Sequence, residues 1–254
     1  MTILPARPMP RHDRQPNLGQ TPSLQTVDLT LTVSGPTEVD VSKSVKLSGR
    51  LTPPVSGAAV VIESSGSGDA FAPTTVSVAQ NADGSYTAVV PVQSGAGSLT
   101  LRAAVAATST SAAMVSPPVK VYFADYKAAG VQYLSCVRGG NAALDKNDAA
   151  VKASNRGALS FNGLKLTDSA LAIADRAEAA CLREHSWPPS VLANVMDLAV
   201  RQDIDADFET QAGKATSITK YNDIVGDSSY DSADRKGGDD AAAIRARLGL
   251  PARS

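Results

Sequence analysis

The chain reads as mainly β plus α: a β-sandwich followed by a small alanine-rich helical region. Between residues 27 and 123, apolar side chains recur at every second position in short runs separated by Gly, Pro, Asn and Asp, which is the pattern of half-buried strands joined by tight turns. Beyond residue 124 alanine becomes frequent and the apolar spacing lengthens toward three and four, the period of a helix face.

The first segment, 1–24, combines Pro5, Pro8, Pro10, Pro16 and Pro22 with Arg, Gln, Asn and Ser. Proline removes backbone donors and the segment has little to bury, so an extended arm is expected, either disordered or laid along a neighbouring subunit.

The sandwich is expected over 25–123. Val27, Leu29, Leu31 and Val33 can line one face of a strand, and Val39 and Val41 begin a second. Val45, Leu47, Gly49 and Leu51 alternate before Pro53-Pro54, and Ala58 to Ile62 follows Gly57. Ser64 to Ala70 reads as a Gly/Ser loop, after which Val76 and Val78 resume the extended register. Asn81-Ala82-Asp83-Gly84 is a turn signal, because Gly tolerates positive φ and Asn and Asp bond their own backbone. It feeds Tyr86, Ala88 and Val90; Leu99, Leu101 and Ala103 follow the Gly95–Gly97 turn, and Val119, Val121 and Phe123 close the set. Seven or eight such strands without helical crossovers predict two antiparallel sheets packed face to face and argue against a dinucleotide-binding α/β fold.

Residues 27–123 resemble a bacterial or phage immunoglobulin-like domain. The resemblance is carried by the strands Val45–Leu51, Gly57–Ile62 and Gly97–Ala103 and by the Asp83-Gly84-Ser85-Tyr86 turn. It covers less than half of the chain and implies fold more than function. The Cys-Trp-Cys core of antibody domains is missing, since both cysteines lie beyond the sandwich.

A helical region is expected over 124–212. Thr167 is a good N-cap before a helix whose Ala170, Leu171, Ala174, Cys181 and Leu182 form an apolar stripe, with Asp175, Arg176, Glu178 and Arg183 toward solvent or a partner. His185 to Pro189 stops it, and Ser190 can cap a second helix carrying Leu192, Val195, Met196 and Ala199; the two can pair as a hairpin. Residues 213–254 read as an acidic, Ser- and Gly-containing linker and a last helix over 239–248, closed by Gly249, Leu250 and Pro251.

Candidate chemistry is sparse. Cys136 and Cys181 either form one disulfide or stand as two buried thiols, and their separation fits neither a zinc knuckle nor a redox pair. A Ser-His-Asp triad would have to draw on His12 or His185, with no nucleophile-elbow sequence; His185 has the simpler use of a cation at a helix C-terminus. Asp203, Asp205 and Asp207 alternate but lack the EF-hand order, so a solvated helix exit is expected over weak calcium binding. Gly66-Ser67-Gly68 and Gly237-Gly238 lack the phosphate-loop pattern. No catalytic, cofactor-binding or metal residue is therefore assigned and no cofactor is expected. Candidate interaction residues are Ile244 and Leu248 on the last helix and Ser67 and Asp69 in the loop.

The balance of 24 Lys plus Arg against 25 Asp plus Glu leaves a net charge of -1, which gives no pull toward nucleic acid. Aromatics at 4% leave little for base or sugar stacking. Neither a secretion signal nor a run long enough to cross a membrane is visible. The expectation is a non-enzymatic structural or interaction protein of a phage virion, in the capsid-decoration, neck or tail class, whose partners are other structural proteins or copies of itself. The alternatives are a bacterial surface or secreted module with weak glycan or protein binding, and a hydrolase whose residues converge only in three dimensions.

Overall fold

The turn at Asn81–Gly84 shows how the β region is built. Gly84 sits at φ +83° and its amide donates to the Asn81 carbonyl at 3.0 Å, while Asp83 Oδ1 accepts from the Ser85 amide at 3.0 Å. Only glycine adopts that backbone without strain. The computed structural model describes residues 25–66 and 70–252; the expected arm at 1–24 and the loop residues Ser67 and Asp69 lie outside the described residues.

Ten strands follow in order: β1 (Asp28–Val33), β2 (Glu38–Asp40), β3 (Val45–Thr52), β4 (Val60–Ser65), β5 (Ala72–Pro73), β6 (Val78–Gln80), β7 (Ser85–Val90), β8 (Gly97–Val105), β9 (Met114–Val115) and β10 (Val119–Ala124). One sheet has the order β1-β3-β7-β6 and the other β2-β10-β8-β4-β5, with β9 beside β8. Pairing is antiparallel except for β2, which runs parallel to β10.

The two-residue period decides what is buried. In β1, Leu29 and Leu31 turn inward and Asp28, Thr30 and Thr32 outward. Leu47, Leu51 and Tyr86 from one sheet meet Ile62, Leu101, Val121 and Phe123 from the other in one apolar core, each such side chain stabilising the fold by roughly 1.5–3 kcal/mol. Gly49 is required where it stands: a Cβ there would overlap the Thr30 carbonyl and the Tyr86 ring, whose hydroxyl donates to that carbonyl. The result is a two-sheet, sandwich-like β region.

Among the described residues, five helices follow: α1 (Tyr126–Asn155), α2 (Phe161–Glu184), α3 (Pro189–Gly213), α4 (Ile218–Val225) and α5 (Ser228–Arg247). Helix α2 begins earlier than Thr167, at a Ser160 cap that accepts from the Gly163 amide. Thr167 instead bonds the Leu164 carbonyl within the helix at 2.7 Å. The expected acidic linker is also mostly helical, because Asp227 caps α5 by accepting from the Ser229 amide.

Cross-helix pairs fix the packing. Cys136 meets Cys181 and Asn147 meets Asp168 between α1 and α2. Arg176 meets Asp207 and Arg183 meets Asp203 between α2 and α3. Asn194 meets Asp240 between α3 and α5. Between α1 and α2 and between α2 and α3 the partner numbers fall on one helix as they rise on the other, so these neighbours run antiparallel. Trp187, Val191, Val195, Leu198, Ile244 and Leu248 form the apolar centre near one end of the bundle. Ile244 and Leu248 thus dock inside their own helical region, at 0% and 7% exposure. No helix among the described residues is long and apolar enough to cross a membrane.

Candidate functional site

The four long helices enclose a cavity of about 440 Å³, the size of small-ligand pockets. Its polar wall is acidic: Asp175 and Glu178 from α2, Asp205 and Glu209 from α3, and Asp234 from α5. Arg245 and the rings of Tyr133 and Tyr230 also face it. No histidine, cysteine or serine is found in its described lining.

The backbone makes room for this chemistry. A Cβ built at Gly140 on α1 would overlap Glu178 Oε2 and lie 3.4 Å from Asp175 Oδ1, so glycine lets both carboxylates approach the helix. Gln202 Nε2 donates to Glu178 Oε1 at 3.2 Å. Asp205 Oδ1 and Glu209 Oε2 are buried without a hydrogen-bond partner, although the two residues are only 8% and 5% exposed. Leaving such atoms unpaired costs about 1–3 kcal/mol each.

Burial sets their proton affinity. It raises the Asp205 carboxyl to about 7, helped by the charges of Asp234 and Asp175 and opposed by Arg201. Burial also raises Asp175 and Glu209. The hydrogen bond between these two lowers Asp175 and raises Glu209 further, so the pair keeps one proton and Glu209 holds it. Tyr230 is pushed well above the usual phenol range, first by burial and then by Glu209.

A second buried polar group lies farther along the bundle. Asp168 accepts from Asn147 Nδ2 at 2.7 Å and from the Tyr221 hydroxyl at 3.4 Å, and burial raises its carboxyl. Its bonds to Asn147 on α1 and Tyr221 on α4 bind three helices together.

Cys136 and Cys181 are disulfide-bonded, with Cα atoms 5.5 Å apart. His185, the C-cap of α2, stands beside them: one donor atom from each of the three residues lies within 4.8 Å of the others. In the disulfide the sulfurs are spent on each other; as thiolates they and the imidazole would supply three soft-to-borderline donors of the kind zinc takes.

The expectation of a non-enzymatic protein is corrected by this convergence of Cys136, Cys181 and His185 into a ligand set of metal-binding type, a set that the separation of the two cysteines in sequence did not suggest. Two local readings change as well. Asp175 and Glu178 face the cavity rather than solvent, and Asp203–Asp207 lies within α3, with Asp203 and Asp207 in ion pairs to α2 and Asp205 turned inward.

The spacing carried a signal for the buried acids. Leu171, Asp175, Glu178 and Leu182 stand at steps of four, three and four on one helix face, and Leu198, Asp205, Glu209 and Ala212 stand at steps of seven, four and three on another. Carboxylates on an apolar stripe are exceptions to burial preference and mark candidate sites. No protein-family model matches the chain, and no curated protein matches it.

Proposed function

We propose that the chain is a hydrolase that cleaves a glycosidic bond by carboxylate acid–base chemistry in the cavity of its helical region. The observation that carries this reading is the set of carboxyls, Asp175 and Glu178 from α2 with Asp205 and Glu209 from α3, on the wall of a ligand-sized cavity, with Glu209 Oε2 buried and without a partner. Two carboxyl groups whose environments push their proton affinities apart supply one acid and one base at neutral pH. Glycoside hydrolysis needs one protonated carboxyl and one carboxylate standing apart on either side of the bond, and no separate Ser, Cys or His nucleophile. Glu209 is the general acid that protonates the leaving oxygen. Glu178, held by Gln202, is the carboxylate that activates water or attacks the sugar, and Asp175 maintains the proton on Glu209.

The disulfide supports an exposed or secreted setting, because such bonds persist in oxidising compartments and at cell and virion surfaces. A bacterial surface and a phage particle are then two settings for one chemistry. For the β region we infer an immunoglobulin-like module. Its orders β1-β3-β7-β6 and β10-β8-β4 follow the two sheets of such domains when the seven strands other than the short β2, β5 and β9 are lettered in chain order.

The test is to incubate the purified chain with bacterial cell-wall and storage polysaccharide fractions and measure new reducing ends and product masses. Wild type is expected to release saccharide ends that Glu209→Gln does not. Absence of new ends in every fraction from about pH 4 to about pH 8, with the protein folded, would count against the reading.

A further inference from the structure

We propose that the cavity recognises a protonated amine on its ligand, so that the saccharide it takes carries a free amino group. The inference rests on the hydrolytic reading for the saccharide but stands on its own observations for the amine. Five carboxyl groups and one guanidinium are found in the described lining. That guanidinium is already engaged, since Arg245 Nη1 donates to the Pro251 carbonyl at 3.0 Å and its carbon lies 5.7 Å from the Tyr133 ring centre. Excess negative charge therefore remains even with a proton on Glu209 and with Arg201, whose charge also acts on Asp205.

Asp205 Oδ1 and Glu209 Oε2 are the second, independent observation. They are buried acceptors without partners, on side chains at least nine-tenths buried that line the cavity. An acceptor in that position gains most from a charged N–H donor, because charge-assisted bonds are stronger than neutral ones in a low-dielectric site. An ammonium group has three donors and can reach more than one carboxylate. Tyr133 and Tyr230 add aromatic surface against which an amine is favoured.

A compact metal ion fits less well. Among the described residues, the only donor group of three within 4.8 Å is Cys136, Cys181 and His185, so these carboxylates are too spread to surround one ion. An amine on a carbon frame spans such spacing, and neutral sugar hydroxyls would leave the charge uncompensated. Exposed Asp234, Gly238 and Ala242 on α5 mark the side from which the ligand enters.

The experiment is calorimetric titration of the full chain with a glucosamine trimer, the N-acetylated trimer, spermidine and magnesium chloride. The glucosamine trimer is expected to bind at one site at least tenfold more tightly than the N-acetylated trimer and more tightly than spermidine; tighter binding of spermidine would overturn a saccharide as the source of the amine. Asp205→Asn should weaken that binding at least tenfold, whereas Asp207→Asn, on the exposed face, should leave it unchanged. Circular dichroism checks each variant, and Asp234→Asn at the mouth provides the same readout if Asp205→Asn does not fold. Equal binding of the N-acetylated trimer, unchanged binding in both cavity variants, competition by magnesium alone, or no amine binding would overturn the proposal. Hydrolysis of a neutral aryl glycoside is a separate measurement. Amine binding without any turnover would remove the hydrolase reading and leave the amine site standing.

Discussion

Asp205 and Glu209 occupy positions on α3 where an apolar side chain would stabilise the bundle more. Their folded-state proton affinities are raised, so the folded chain binds protons more tightly than the unfolded one. For Asp205 the stabilising contribution is fully present below its ordinary value of 3.8 and is lost as pH rises through about 7. Asp40 and Asp83 are held low by hydrogen bonds from Ser42 and Ser85, so their opposite effect is confined to lower pH. The melting temperature should therefore fall from about pH 5 to about pH 8, and Asp205→Asn should flatten the decline. A melting temperature that rises across that window in the wild type would contradict the assignment. These acids were partly legible in the sequence: their spacing puts them on the leucine stripe, but solvent was the default partner for a charged residue. Which oxygens stay unpartnered depends on the approach of α1 and α5, and no local pattern encodes that.

At the scale of the element, alternation and turn residues made the strands readable because one face of each sheet is buried and the other is not. Helix α5 was harder to read. Its Ser-rich start and Gly237-Gly238 have low helix propensity, yet α5 lies so close to α3 that a Cβ at Gly237 would stand 3.5 Å from the Arg201 Cβ and 3.8 Å from Leu198, and this tertiary packing favours the helix over the linker that composition suggests. Gly140 on α1 tests the cavity wall. Gly140→Ala should keep the fold while displacing Glu178, lowering turnover by on the order of 10²-fold, as expected for a misplaced catalytic group; unchanged turnover would show that Glu178 is not in the reacting geometry. The disulfide joins α1 and α2 across a sequence separation of 45 residues. By chain entropy its loss should cost roughly 4 kcal/mol, so Cys136→Ser with Cys181→Ser should lower the denaturation midpoint by a matching amount, and an unshifted midpoint would contradict a structural role.

Across the whole molecule, Glu38 ties the β region to the bundle. Its Oε2 accepts from the Ser190 amide at 2.8 Å, and its Oε1 accepts from the Ser190 hydroxyl at 2.5 Å and the Tyr126 hydroxyl at 2.7 Å. Pro188 makes no side-chain cap for α3, so a carboxylate from the other region satisfies a donor at that helix N-terminus. Glu38→Ala should cost about 1–3 kcal/mol and speed hydrogen exchange at the Ser190 amide; unchanged exchange would show that the link is dispensable. This contact spans 152 residues, which is why the sequence showed two regions but not what joins them. The hydrolytic reading requires Glu209 to deliver a proton to a leaving group. Rates of wild type and Glu209→Gln are to be compared on an aryl glycoside with a strongly acidic phenol and on one with a weakly acidic phenol. The variant should lose about 10²–10⁴-fold on the weakly acidic leaving group and retain most of its rate on the strongly acidic one, which departs without protonation. Equal losses on both substrates, or no loss on either, would contradict it.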